Sequence, residues 1–234
     1  MHLDSPALSN TEKKRKGKAL RWGRLSFCVR AKIGHSQTAY LRAMELLAQT
    51  RLPSKWGEYV ISAYGEKGDR FPHVALHRGL EALTGELVPV RIHSECMTGD
   101  VFGSRRCDCG DQLATALGHF REIGGVLIYL RQEGRGIGFV EKLEAYNLQD
   151  AGMDTYEANV ARGHQEDARS YEVAAEILKK MEVDRVRLLT NNPEKVNCLQ
   201  AFGFEVEREP VIIEPNDDNK AYLKSKADVK GHWF

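Results

Sequence analysis

The spacing of apolar positions in the first third of the chain predicts one helix followed by strands. After Ser36, which can cap a helix, apolar residues recur at helical spacing and predict a helix over 36–50. The pair Leu52-Pro53 should end this helix. Alternating or β-rich stretches predict strands at 58–64, 73–77 and 87–92.

From about residue 110, helical stripes alternate with short apolar runs. The run at 126–130 is wholly apolar, as is typical of a strand buried on both faces. Further strands are predicted at 186–189, 204–206 and 211–213, and helices around 113–120, from 138 to near 152, over 171–181 and from Asn192 to Gly203.

This alternation predicts an α/β fold with a mixed, largely parallel sheet and flanking helices. An N-terminal β-rich portion and a basic N-terminal helical arm should precede it. Because ligands bind beyond the carboxyl ends of parallel strands, we expect the site in the loops after Ile92, Leu130 and Leu189.

Composition places the chain among globular proteins. Of 234 residues, 42% are hydrophobic and 29% are charged, which suits a packed core. No stretch approaches the length of a membrane span, and no signal-peptide pattern follows Met1. The odd number of cysteines, five, favours a reducing compartment. We therefore expect a cytoplasmic protein that does not interact with a membrane.

Charge is distributed unevenly along the chain. Residues 1–34 contain nine Lys or Arg and two Asp or Glu, whereas the remainder is mildly acidic. Such an arm can dock on nucleic acid, a membrane or a partner, but a solvated extension is the more common case. Because no aromatic residue interrupts the basic run at 13–18, we do not expect nucleic-acid binding.

Three cysteines, Cys96, Cys107 and Cys109, lie within 14 residues of one another. A tetrahedral zinc ion needs thiolates about 3.8 Å apart, which a loop return between Cys96 and Cys107 can supply. The nearest histidines are His93 and His119. Three protein ligands and one open position are typical of catalytic zinc, because the open position can hold water. The alternative is one buried cysteine with two incidental neighbours.

The glycine-rich segment 131–138, RQEGRGIG, directly follows the apolar run. Its glycines let backbone N–H groups approach an anion, and Arg131 and Arg135 can fork onto phosphate. The spacing matches neither the dinucleotide fingerprint nor a Walker loop. A phosphate site and a tight structural turn therefore both remain open.

Two other turns precede predicted helices. Asp167-Ala-Arg169 and the segment 190–195, TNNPEK, supply a carboxylate, a guanidinium, a hydroxyl, amides and an amine. These groups suit a nucleotide, although helix caps use the same residue types. A helical tyrosine such as Tyr146 is more often a core residue than a catalyst.

Taken together, five segments resemble the GTP cyclohydrolase II family in order and spacing: SEC-x10-CDCG, RQEGRGIG, AYNLQDAGMDTYEAN, DAR and LLTNNPEK. The resemblance runs from about Leu52 to the end of the sequence. It implies an enzyme that opens the imidazole ring of GTP and releases formate and pyrophosphate, in riboflavin synthesis or a specialised pathway. It also implies Zn²⁺, Mg²⁺ with the triphosphate, and a homodimer.

The resemblance also assigns roles to individual residues. It makes Tyr146 the catalytic tyrosine, Asp167 a proton acceptor and Arg169 the group that attacks the α-phosphate. Because guanidinium is ordinarily protonated, a charge-stabilising role suits Arg169 better. Zinc is assigned to Cys96, Cys107 and Cys109, and GTP contacts are assigned to Arg91, His93, Ser94, Glu95, Gln112, Glu133, Gly134, Arg135, Thr155, Thr190 and Lys195. Of these, Gln112 or Glu133 can read the guanine edge.

Several positions depart from the family pattern: Leu130, Glu141, residues 164–166 and Ser170. They raise the alternative of a cyclohydrolase that stops at the formamidopyrimidine nucleotide. An alternative of another class is a non-catalytic regulator that binds guanine nucleotides.

The sequence predicts a division into a basic extension, 1–50, and a catalytic domain, 51–234. The extension is too short for the dihydroxybutanone-phosphate synthase domain that often precedes this family. We therefore expect a monofunctional chain.

Overall fold

The computed structural model describes residues 35–165, 167–220, 222–224 and 228. Its helices are α1 (His35–Ala43), α2 (Met97–Asp100), α3 (Cys109–Ile123), α4 (Phe139–Asp150), α5 (Thr155–Ala161), α6 (Glu172–Lys180) and α7 (Pro193–Ala201). Its strands are β1 (Glu45–Ser54), β2 (Gly57–Gly65), β3 (His73–Arg78), β4 (Val88–Ser94), β5 (Gly125–Leu130), β6 (Arg185–Leu189) and β7 (Glu205–Glu209). Two 3₁₀ turns span Leu80–Leu83 and Glu133–Gly136.

Seven strands form one mixed sheet in the order β1-β2-β3-β5-β4-β6-β7. Strands β1, β2 and β3 pair antiparallel, and β3 pairs antiparallel with β5. Strands β5, β4, β6 and β7 run parallel. The predicted mixed sheet, its flanking helices and its N-terminal β-rich portion are thus confirmed, and β5 is the seam between the two halves.

Helices cover both faces of the sheet. On one face, α6 and α7 pack on the central strands through residues such as Ile177, Leu178 and Leu199, all with no exposed surface. On the other face, α3 contributes Leu117 and Phe120. The parallel strands are therefore buried on both sides, as the apolar run in β5 predicts.

The predicted helix over 36–50 is wrong in its second half. Helix α1 ends at Ala43, and Glu45–Ser54 forms an edge strand with a register shift between Leu46 and Ala48. Most of this strand is exposed, so it lacks the alternating apolar face that marks a half-buried strand. Pro53 is compatible with a strand because β1 lies at the edge of the sheet.

The strand predicted at 211–213 is also wrong. The Asn191 side chain binds both backbone groups of Val211, with Nδ2 donating to its carbonyl at 2.6 Å and Oδ1 accepting from its N–H at 3.1 Å. A side-chain amide thus takes the place of a neighbouring strand, and the buried Val211 accounts for the apolar pattern.

The basic arm, residues 1–34, lies outside the described residues, and the division of the chain at residue 50 stays a prediction. Within the part of the chain that the structure describes, the helices lack the length and apolarity of a membrane span.

Candidate active site and metal centre

Two adjoining cavities lie beyond the carboxyl ends of β4, β5 and β6, where the parallel sheet predicts the site. The cysteine cavity is lined by Ser94, Glu95, Cys96, Cys107, Cys109, Glu133, Gly134, Arg135, Ile137, Lys142, Ala145, Tyr146, Gln149, Asn159, Arg169 and Tyr222. The cationic cavity is lined by Arg91, His93, Ser94, Cys109, Gln112, Arg169, Thr190, Asn191, Asn192, Lys195 and Tyr222. Four residues are common to both lists, so the cavities share a wall.

The three cysteines converge at the floor of the cysteine cavity. Cys96 follows β4, whereas Cys107 and Cys109 lie at the start of α3. Their sulfur atoms all lie within 4.8 Å of one another, and Cys96 Sγ is 3.6 Å from Cys107 Sγ. These separations fit thiolates around one tetrahedral zinc ion. The loop return that the spacing requires is therefore present.

Two glycines allow this convergence. A Cβ on Gly110 would lie 2.4 Å from the Gly99 carbonyl oxygen, and a Cβ on Gly99 would lie 3.0 Å from Cys107 Sγ. Helices α2 and α3 can therefore meet backbone to backbone, which brings the loop after β4 against the start of α3.

A buried ammonium group lies beside the cysteines. Lys142 Nζ donates to Cys96 Sγ at 3.1 Å and to Glu133 Oε1 at 2.8 Å. Hydrogen bonds from Cys107 and Cys109 lower the pKa of the Cys96 thiol, and the Lys142 charge adds to this effect. The positive charge of the Lys142 ammonium group would thus offset part of the negative charge of three thiolates.

Tyr146 reaches the same group of sulfurs. Its hydroxyl lies 3.5 Å from Thr98 Oγ1, which in turn lies 3.6 Å from Cys96 Sγ. Burial raises the pKa of Tyr146, so the phenol keeps its proton at neutral pH. A proton donor therefore stands at the wall of the cysteine cavity.

The glycine-rich loop is built around Glu133. Its carboxylate accepts hydrogen bonds from Met97 N at 2.6 Å and from Gly134 N at 2.7 Å, so it caps the start of α2. Gly134 and Arg135 both have positive φ, 60° and 59°. For the arginine this conformation is strained, as it often is at functional sites.

The loop also holds the segment that contains Asp167. The Arg135 carbonyl accepts a hydrogen bond from Ala168 N at 3.0 Å. A Cβ on Gly136 would lie 3.0 Å from the Ala168 carbonyl oxygen, so glycine is needed for this approach. Two motifs that are remote in sequence therefore form one wall.

Arg169 lies where the two cavities meet. Its Nε donates to Asp167 Oδ1 at 2.8 Å, and its second guanidinium nitrogen donates to Oδ2. Burial opposes the guanidinium charge, but Tyr171 and Asp167 outweigh it and hold the pKa of Arg169 well above its usual value. Arg169 is therefore a fixed positive charge.

Polar side chains organise the cationic cavity. Arg91, fully buried, donates to the Leu189 carbonyl at 2.9 Å and to the Gln112 side-chain oxygen. Lys195 Nζ donates to the Ile92 carbonyl at 2.8 Å. Asn192 accepts from Glu194 N at 2.8 Å and so caps α7, as its sequence position predicts.

The structure thus brings nearly all the predicted site residues into the walls of the two cavities. Asp167 lines neither cavity and reaches them through Arg169. Thr155 is the first residue of α5. The functional roles of these residues stay predictions.

Sequence reasoning missed several residues at the site. Lys142 is one of them, although it lies four residues before the predicted Tyr146 on α4 and helical spacing places both on one face. Asp100 and Thr98 lie between the cysteines without a spacing signal of their own. Asn191 and Asn192 also line the cationic cavity, whereas the sequence predicts only a turn and a helix cap there.

Comparisons with known proteins agree with this site. The family model for GTP cyclohydrolase II matches residues 45–210. Riboflavin biosynthesis protein RibBA of Chlorobium phaeovibrioides is 49% identical over 193 residues, 82% of this chain and 47% of that protein. RibBA of Bacillus mycoides is 48% identical over 200 residues, 85% of this chain and 49% of that protein.

The chain spans about half the length of these curated relatives. Among solved structures, RibBX, a two-domain 3,4-dihydroxy-2-butanone 4-phosphate synthase from A. baumannii, covers 74% of this chain and 41% of its own, at 21% identity and a TM-score of 0.41. The family model covers more than half of the sequence, including every residue in the two cavity walls except Tyr222. The chain therefore belongs to the GTP cyclohydrolase II family.

Proposed function

We propose that the protein is a zinc-dependent GTP cyclohydrolase II. It opens the imidazole ring of GTP at C8 and releases formate and pyrophosphate, giving 2,5-diamino-6-(5-phosphoribosylamino)pyrimidin-4(3H)-one. One observation carries this proposal: three cysteine sulfurs within 4.8 Å of one another face a cavity that holds Tyr146 and adjoins a cationic cavity. RibBA proteins take their name from riboflavin biosynthesis, which supports the same pathway here.

The cysteine cavity suits ring opening. Zinc held by Cys96, Cys107 and Cys109 would supply Lewis-acid chemistry and an activated water for hydrolysis. Lys142 and Thr98 hold Cys96 in place. The protonated Tyr146 hydroxyl can deliver its proton to the nitrogen that leaves C8.

The cationic cavity suits the triphosphate. Arg91, Lys195 and Arg169 bring three positive side chains to it, and Mg²⁺ would accompany the phosphates. Because Arg169 is held as a guanidinium by Asp167, it stabilises charge at the α-phosphate in this proposal and is not a nucleophile. Burial alone would raise the pKa of Asp167, but the pairing with Arg169 holds that pKa below its usual value. The Asp167 carboxylate in turn orients the Arg169 guanidinium.

Recognition of the guanine edge is proposed for Gln112 or Glu133. Each presents an oxygen that can accept hydrogen bonds from the base, and each lines one of the cavities. The Glu133 carboxylate already accepts hydrogen bonds from Met97 N and Lys142 Nζ. The Gln112 side chain accepts a hydrogen bond from Arg91 and donates one to Asp108.

The positions that depart from the family pattern favour the complete reaction over a truncated one. Leu130 is buried in the core, and Glu141 pairs on the surface of α4 with Arg162 at 2.9 Å and His164 at 3.2 Å. The Ser170 hydroxyl accepts from Gln37 at 2.6 Å. These side chains line neither cavity, so we expect them to leave both ring opening and removal of the formyl group unchanged.

The family resemblance also supports a homodimer, and the cysteine count supports a cytoplasmic enzyme. Sedimentation velocity of the purified protein tests the dimer. A monomer at micromolar concentration would contradict it.

Product analysis tests the proposed reaction. Zinc-loaded protein is incubated with GTP and Mg²⁺, and product mass, formate and pyrophosphate are measured. Equal amounts of formate and pyrophosphate with a diaminopyrimidine product are expected. A product that retains the formyl carbon would indicate the truncated reaction, and unchanged GTP with zinc bound would contradict catalysis. The Tyr146→Phe variant, which keeps the ring but lacks the proton, should lose activity while retaining zinc.

A further inference from the structure

One buried carboxylate joins the cysteine loop to the cationic cavity. Asp100, at the end of α2, has a side chain that is 4% exposed. It accepts hydrogen bonds from the Tyr129 hydroxyl at 2.8 Å and from Cys96 N at 2.9 Å, and its Oδ1 and Oδ2 lie 3.0 Å and 3.2 Å from His93 Nε2. Because Cys96 belongs to the cysteine trio and His93 lines the cationic cavity, Asp100 connects the two parts of the site.

These contacts determine which ring nitrogen of His93 carries hydrogen. The Asp100 side chain already accepts from two other donors, Cys96 N and the Tyr129 hydroxyl, so we assign it as the acceptor toward His93 Nε2 as well. The imidazole also stacks on Tyr129, with ring centroids 5.5 Å apart and planes 22° from parallel. Burial lowers the pKa of His93, which favours a neutral ring. A neutral ring with hydrogen on Nε2 presents a lone pair at Nδ1.

That lone pair has no hydrogen-bond partner among the described residues. Nδ1 of His93 is buried, and the whole residue is 2% exposed. An acceptor left in this state is destabilising, so a ligand or water should complete it. A phosphate oxygen carries no hydrogen to donate to it, whereas a hydroxyl or an N–H group does. In a cavity with Arg91 and Lys195, His93 is therefore selective for a donor.

We propose that Asp100 is a positioning residue that fixes His93 as the Nε2–H tautomer, so that Nδ1 accepts a hydrogen bond from a hydroxyl or N–H group of the bound nucleotide. This inference rests on the proposed function for the identity of the ligand. The same carboxylate accepts a hydrogen bond from the backbone N–H of Cys96, so one side chain positions both Cys96 and the His93 ring.

Nitrogen NMR of zinc-loaded, ligand-free protein labelled with ¹⁵N-histidine tests the tautomer. A His93→Gln variant identifies the resonances of this ring. The parent should show hydrogen on Nε2 and a bare Nδ1. A parent ring with hydrogen on Nδ1, or on both nitrogens at pH 7.5, would overturn the proposal without reference to any reaction.

The Asp100→Asn variant should reverse the tautomer. The Cys96 N–H and the Tyr129 hydroxyl both donate to Oδ2, so the amide oxygen takes that position and the NH₂ group faces Nε2. An Asp100→Asn ring that still carries hydrogen on Nε2 contradicts the proposal. Tyr129→Phe is the matched control, because it removes one donor and keeps the carboxylate. If Asp100→Asn does not fold, the His93 tautomer seen in the parent spectrum tests the proposal by itself.

Ligand binding and kinetics test the second half of the proposal. A GTP analogue with a methylene group between its α- and β-phosphates should move the Nδ1 resonance of the parent, and kcat/KM for GTP should fall at least about tenfold in Asp100→Asn with zinc retained. Tyr129→Phe should stay within about threefold. An unmoved Nδ1 resonance, while backbone amides of the cavity shift, overturns the acceptor role. Absence of every shift contradicts the proposed function instead, and the ligand-free spectrum then decides the tautomer.

Discussion

Individual side chains at this site act mostly through their neighbours. Lys142 contacts a cysteine and a glutamate, Asp167 holds Arg169, and Asp100 binds two different parts of the site. Each is a polar group in a buried setting, where an unpaired partner is costly. A substitution should therefore affect the neighbour as much as the residue itself.

Metal content is the first expectation at the residue scale. Cys107→Ser should bind far less than one zinc per chain, because the hydroxyl is a poor replacement for a thiolate. Cys198→Ala is the matched control, since Cys198 lies on α7 outside both cavity walls. Zinc measured after gel filtration should be near one per chain for the parent and for Cys198→Ala. Equal zinc in all three proteins would remove the cysteine trio as the metal site.

At the scale of elements, the site depends on how closely α2 and α3 approach. Helix α2 has four residues and α3 has fifteen, and their contact runs through backbone atoms at Gly99 and Gly110. Close backbone contacts of this kind leave no room for a methyl group, unlike an exposed helix position.

Two alanine substitutions on α3 compare a glycine in a close backbone contact with a glycine that has open space around it. Gly110→Ala should lower the free energy of unfolding by about 1–3 kcal/mol and weaken zinc retention, because its Cβ would meet the Gly99 carbonyl at 2.4 Å. Gly118→Ala, with no atom within 4 Å of its Cβ, should raise the free energy by about 0.5–1 kcal/mol. Urea denaturation measures both. A neutral Gly110→Ala with full zinc content would show that the two helices can separate without harm.

At the scale of the whole molecule, a half-buried histidine makes stability depend on pH. Burial lowers the pKa of His73, whose Nδ1 accepts from Arg131 N at 3.0 Å. Below the ordinary histidine pKa of about 6.5, the unfolded chain binds a proton that the folded chain does not. Stability should therefore fall as the pH drops below about 6.5 and through the lower folded pKa.

The His73→Gln variant checks this sign. Its free energy of unfolding should decrease less than that of the parent between pH 7.5 and 5.5, measured by urea denaturation at each pH. The metal contribution is common to both proteins and cancels in the difference. Parallel curves would show that His73 does not contribute.

Much of this architecture was predictable from the sequence, and the exceptions have physical causes. The apolar run in β5 and the cap at Asn192 are local signals, and the strand and the helix start that they predict are both confirmed. Strand β1 was missed because an exposed edge strand carries no burial pattern. Asp100 could not be predicted because its partners His93 and Tyr129 come from other elements, whereas the helical spacing of Lys142 and Tyr146 was a signal for Lys142.

The cysteine trio and the cationic cavity differ in how far apart their residues lie in the sequence. The three cysteines fall between residues 96 and 109, whereas the cationic cavity needs both Arg91 and Lys195. Local contacts close short loops and form quickly, whereas distant ones wait for the intervening chain. During synthesis from the N-terminus, all three thiols emerge before β6 and α7 exist. Under the proposed function, a nascent chain could therefore bind zinc before the residues that would contact the nucleotide have come together.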